Sequence, residues 1–258
     1  MVEQILKIKN NIRTSFKQHF LKGVIVALTF DQDIKEFFSD NKFNNFFKKN
    51  DFCNLNEIKN ANFKITIDND IPTAEQTNTV IGYTYTNTKN NNQMQIINNR
   101  FIFLHNTYNN YESLNNEIKM VINEIFQNIN VNIIQIGFRK INAIVVRGIT
   151  KYNDITDLFN ENLFNFMKCD LFDIKNLENY RDNFILSKNN SKIIVNTSCS
   201  KIQNIENSYE IVIDTDIIEE KVDNTKIIDI IEELNQLHFD TFCWFISEKM
   251  KNIMNEAT

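Results

Sequence analysis

Glycine and proline are scarce in this 258-residue chain, which holds four of the first and one of the second. Gly23, Gly82, Gly137 and Gly148 stand far apart, so no Gly-rich phosphate-cradling loop exists. The four cysteines, Cys53, Cys169, Cys199 and Cys243, form no C-x-x-C pair. A structural zinc site usually shows one close ligand pair, and in a reducing compartment isolated thiols read as buried ones. The three histidines, His19, His105 and His238, form no H-E-x-x-H. No metal and no cofactor are expected. No run reaches the roughly 18–20 apolar residues of a spanning helix. Met1–Phe20 mixes Glu, Lys, Arg and Gln with single apolar residues, unlike a signal peptide. A cytoplasmic protein with no membrane contact is expected. Basic excess is missing too: the net charge is -5 and the pI near 5.4. That argues against a general nucleic-acid coat, which needs a basic surface.

What is abundant is Asn, Ile, Lys and Phe, all with AT-rich codons, so scattered Asn residues carry little weight. Hydrophobic residues make up 42% of the chain, enough for a substantial core. Gly23–Phe30 is a β-branched apolar run and reads as a buried strand. Asp31 or Asp33 can cap the short helix carrying Ile34, Phe37 and Phe38. The segment 41–60 reads as a loop with helical turns. Strand candidates follow at 63–67, 80–86, 93–97 and 100–105, joined by short Asn-rich spacers as in an antiparallel meander. Asn109 with Glu112 resembles a capping box. Tyr111, Leu114, Ile118, Val121, Ile122, Ile125 and Phe126 lie on one face of the helix it opens.

The second part has the same look. A long strand, 131–149, bends or breaks near Gly137. A short helix with Ile155, Leu158, Phe159 and Leu163 follows, then strands at 184–187, 192–197 and 209–214. A long helix, 224–254, closes the chain. The expected fold class is α+β, made of two similar β-α-β-β-β-α halves with antiparallel sheets and a long helix closing each. The expected division is 1–130 and 131–258.

Inside the long strand stands Gly137-Phe138-Arg139-Lys140-Ile141-Asn142. This stretch resembles the central Gly-Leu-Arg-Tyr-Ile-Asn motif of a sporadically distributed, uncharacterised bacterial protein family of about this length. Weaker matches run in order along the chain: Val24–Phe30, Arg100–His105 with Tyr108 and Tyr111, Ile213–Asp216, and Leu237-His238 with Phe242 and Ile246. The sequence departs from the motif at Phe138, a conservative change, and at Lys140, where a cation replaces an aromatic. The resemblance brings no established activity. The family's patchy distribution resembles that of mobile-element and phage-defence genes.

Arg139 can hold a carboxylate or phosphate bidentately, or act as a structural clamp by pairing with an acidic residue of the other half. Under strict strand alternation, Arg139 and Asn142 point to opposite faces, with Asn142 tying a strand bend. Asp31/Asp33, Asp68/Asp70 and Asp214/Asp216 each flank an apolar strand. Such pairs can hold Mg²⁺ for phosphoryl or nucleotidyl transfer, though Asp is also an ordinary strand-exit residue. His105 and His238 read as partly buried, hydrogen-bonded residues; a Cys199 pairing with either is the nucleophilic alternative. Phe43, Phe46, Phe47 and Phe52 interleave with Lys42, Lys48 and Lys49, a pattern that can stack and neutralise single-stranded nucleic acid or merely pack over a sheet. Trp244 sits in a closing helix apolar all round, which points to burial between halves or between chains.

No catalytic constellation stands out. The leading expectation is a non-enzymatic binding protein with a protein partner, and a homodimer through the closing helix. Its setting would be a phage-defence or toxin–antitoxin-like system. Arg139, Asn142, Asp214, Asp216, His238 and Trp244 are its ligand or interface candidates. The alternatives are a metal-dependent enzyme acting on nucleotides or phosphate esters through Asp214, Asp216 and Arg139, and a nucleic-acid-binding protein using the Lys42–Lys49 patch.

Overall fold

A computed structural model describes residues 5–14, 16–39, 41–68, 71–108, 110–164 and 172–256. Nine strands form a single sheet in the order β2-β3-β4-β5-β1-β6-β9-β8-β7. They are β1 (Leu21–Phe30), β2 (Asn54–Asp68), β3 (Ile71–Thr86), β4 (Gln93–Ile97), β5 (Arg100–His105), β6 (Ile133–Arg147), β7 (Asn179–Lys188), β8 (Ser191–Lys201) and β9 (Ser208–Glu220). The helices are α1 (Asn41–Lys49), α2 (Tyr111–Asn128), α3 (Tyr152–Thr156), α4 (Ile227–Phe245) and α5 (Glu248–Glu256). The chain clusters into two compact units, 25–135 and 1–24 with 136–258.

This overturns the expected pair of β-α-β-β-β-α halves with their own sheets and closing helices. The strands belong to one antiparallel sheet, and the first part carries four strands after α1. The four strand candidates 63–67, 80–86, 93–97 and 100–105 all fall within β2 to β5, one more than a β-α-β-β-β-α half holds, and β2 begins at Asn54, in a polar stretch (NLNEIKNANF) that β3 pairs along its whole length. The expected closing helix also divides. α4 ends at an extended Ile246, which bridges to Phe159, and Ser247 donates its amide to the Leu158 carbonyl before α5 begins. β6, by contrast, runs through Gly137 unbroken.

In unit 25–135 the core is aromatic. Phe43 and Phe47, four apart on α1, reach Phe38 and Tyr85 with ring centroids 4.4 and 4.2 Å away. Phe101 and Phe103 of β5 pack 4.9 Å apart on the same buried face. Tyr85 donates its hydroxyl to the Phe38 carbonyl, and burial pushes its pKa up. α2 starts at Asn110, whose side chain accepts from the Ser113 amide; Asn109 lies outside the described residues. In the other unit α4 covers the Phe138-Lys140-Asn142 side of β6, as the contacts of His238 and Asn235 show.

The scarcity of glycine is answered by asparagine. Asn91, Asn98, Asn189, Asn204 and Asn207 all have positive φ, the left-handed conformation that turns need. Asn98 lies in the β4–β5 turn and Asn189 in the β7–β8 turn. Gly82 is where glycine is indispensable. A Cβ there would lie 1.9 Å from the Ile96 carbonyl oxygen of the neighbouring strand, beside the Ile58/Lys59 bulge of β2.

Candidate functional site

Along β6, β8 and β9 buried and accessible residues alternate, so one sheet face is core and the other open. On the open face a polar row crosses four strands. The two-residue turn at Asn189-Asn190 sets the β7–β8 register, which places Asn183 opposite Asn196, and Asn196 opposite Asp214 of β9. Asn183 donates its side-chain amide to the Asn196 carbonyl oxygen. Asn196 donates to Asp214 Oδ2 at 3.4 Å. From β6, Arg139 grips the same carboxylate with two bonds, Nε to Oδ1 at 2.8 Å and Nη2 to Oδ2 at 2.6 Å. The bond to Asp214 raises the Arg139 pKa, and Asp216 adds attraction from the same face. A cleft of about 460 Å³ opens over this row, lined by Arg181, Asp182, Asn183, Asn196, Thr197, Ser198, Val212 and Asp214.

Three of the six candidates, Arg139, Asp214 and Asp216, therefore gather on one face. Asn142 is buried on the opposite face, as alternation requires. His238 is buried there too. Its Nε2–H donates to the Phe138 carbonyl at 2.7 Å, a bond that fixes the tautomer, and its ring lies 5.1 Å from that of Phe138. Burial first, then the Lys140 charge, drives the His238 pKa well below its usual value. His238 is thus a neutral strut. Trp244 stands apart, 39% exposed at the end of α4.

Lys140, where the resembled motif has tyrosine, gives its ammonium to Asn235 Oδ1 at 2.6 Å and lies 5.2 Å over the Phe138 ring. Burial, with Arg13 adding repulsion, pushes its pKa down to about 7. An N-terminal segment without regular secondary structure lies against α4. Asn11 bonds to Asp240, Arg13 pairs with Glu232, and Phe16 packs on Phe239 and Phe242.

The remaining candidates disperse. The Cys199 thiol is buried, and burial pushes its pKa up to about 12, which disfavours the thiolate that a nucleophile needs. His105 lies 3.0 Å from Glu117 on α2 and 3.3 Å from the Asn92 amide, a buried polar knot. Asp31 is spent on Asn132, which lowers its pKa, and Asp33 caps Lys35. Asp70 and the Asp68 side chain lie outside the described residues, as does the Lys42 side chain. Phe43, Phe47 and Phe52 are buried, so those rings cannot stack on bases. Among the described residues, no group of three or more His, Cys, Asp or Glu is placed to hold a metal ion, and no helix is long and apolar enough to cross a membrane.

Asn183 and Asn196 were missed because each is one asparagine among many. Their signal was the Asn-Asn turn, which pairs residues summing to 379 across β7 and β8 and so aligns them (188 with 191, 183 with 196). No family model matches the chain, and no curated protein matches it.

Proposed function

We propose that the chain is a non-enzymatic binding protein that recognises a protein partner on the open face of β6, β9, β8 and β7. The observation that carries this is the hydrogen-bonded row Asn183–Asn196–Asp214–Arg139 beneath a cleft. Carboxamides there offer both donors and acceptors to a partner's backbone or side chains, and Arg181 adds an exposed cation at the rim. The carboxylate that a metal would need is already held by both forks of a guanidinium, which makes the row a recognition surface.

Membership of the sporadically distributed bacterial family is part of the same proposal, supported by the motif 137–142, which supplies Arg139 to the row and Phe138, Lys140 and Asn142 to the core. That resemblance also supports a place in a phage-defence or toxin–antitoxin-like system. The test is affinity capture from the protein's own cells with the native chain and with Asn183→Lys/Asn196→Lys. A stoichiometric partner that disappears with the variant, at unchanged melting temperature, supports the reading. A partner retained by the variant contradicts it.

A further inference from the structure

β7 ends the sheet order, and among the described residues no strand pairs with its outer side. It is ten residues long, with Ile185 53% and Leu186 37% exposed. A long edge strand with exposed apolar residues is a template for another strand. The parity of its backbone is set by two bonds. The Glu178 carbonyl accepts from the Lys201 amide, so even-numbered residues bond to β8. The Asn183 amide turns away and is taken by Asp182 Oδ1 at 2.8 Å. The outward amides and carbonyls therefore belong to Arg181, Asn183, Ile185 and Ser187.

We infer that β7 pairs antiparallel with β7 of a second copy of this chain, on a dyad through Ile185. The occupant is chosen by complementarity of the strand with itself. In this register the outward residues meet outward residues: Ile185 meets Ile185, and Asn183 meets Ser187 of the second copy. On the other face Phe184 packs against Leu186 of the second copy, twice by symmetry. Asp182 then lies opposite Lys188 of the second copy, also twice, and the two exchange their present contacts (for Asp182, the Asn183 amide and the Tyr180 hydroxyl) for an ion pair. Centring the dyad on Asp182 would instead oppose two like charges. An isologous pairing of this kind closes at two chains and buries both edges. It uses the backbone edge of β7 and not the Asn196–Asp214–Arg139 bonds, so it does not rest on the open-face reading, although Arg181, Asp182 and Asn183 also line that cleft.

The test is light scattering of the full chain over a concentration series. The pairing predicts a species of twice 30.5 kDa that dissociates on dilution. Ile185→Pro removes only an outward amide and leaves the β8 ladder intact, so it gives a monomer with an unchanged far-UV spectrum. Asp182→Lys and Lys188→Asp each weaken the dimer at least tenfold, and the double exchange restores it. A native chain monomeric throughout overturns the inference. So does a dimer that survives Ile185→Pro, or a double exchange that behaves like the worse single variant.

Discussion

Arg139 and Asp214, on neighbouring strands, form a two-bond fork, with one oxygen of the carboxylate also accepting from Asn196. Asp214 is nearly covered, while the Arg139 side chain is 42% exposed. The pair is therefore asymmetric: removing the arginine strands a buried charge, and removing the aspartate releases a guanidinium into water. Arg139→Ala is expected to cost about 1–3 kcal/mol of stability, and Asp214→Asn less. Arg139→Lys recovers only part, since an ammonium cannot match both oxygens. Urea unfolding of the three variants checks the ranking.

Lys140 makes stability depend on pH. Its folded pKa lies below the unfolded one, so below about pH 7 the amine is charged in both states and its desolvation weighs fully against folding. Above that, the unfolded chain holds a proton that the folded chain has lost, and stability rises with pH, by at most about 1.4 kcal/mol per unit. Lys140→Met, which removes the charge from beside Arg13 and His238, is expected to flatten this slope between about pH 7 and 8.5. Equilibrium unfolding at a series of pH values compares the two slopes.

Much of the fold was legible where residue chemistry and period agree. The apolar run of β1, the Leu114–Ile125 stripe of α2 and the alternation through Phe138, Arg139 and Lys140 all read directly. β2 was legible only at 63–67, because its polar first part, 54–62, is the edge of a hairpin paired with β3 alone and needs no apolar alternation. The single sheet was not legible either, since strand order depends on pairings distant in sequence. At the candidate site, Arg139 and Asp214 stood out as rare charges in apolar strands. Asn183 and Asn196 were lost among other asparagines, several of which do the turning work that glycine does elsewhere.

Gly82 supplies a test of the β3–β4 approach. Gly82→Ala drives a methyl into the Ile96 carbonyl, a backbone atom that a rotamer change cannot move. A loss of about 2–4 kcal/mol is expected, well beyond the propensity difference between glycine and alanine. Thermal unfolding reads it, with Gly148→Ala as a comparison, where strain comes from a φ of 74° and no atom lies within 4 Å.

The thiols separate by burial. Cys53 is exposed, while Cys199 and Cys243 are buried with raised pKa values. Iodoacetamide on the native protein is expected to alkylate Cys53 within minutes and Cys199 only after unfolding. Peptide mapping by mass spectrometry follows each site, and rapid native labelling of Cys199 would contradict the buried placement.

Asp214 is held by Arg139 and Asn196, and the proposed function requires that the row take a partner without a metal. The most direct test is the melting temperature of the native chain with Mg²⁺, Mn²⁺ and nucleotides, since a ligand of the folded state raises it. No rise is predicted under any of them. A rise with Mn²⁺ that Asp214→Asn abolishes would contradict the account and return the row to phosphate chemistry.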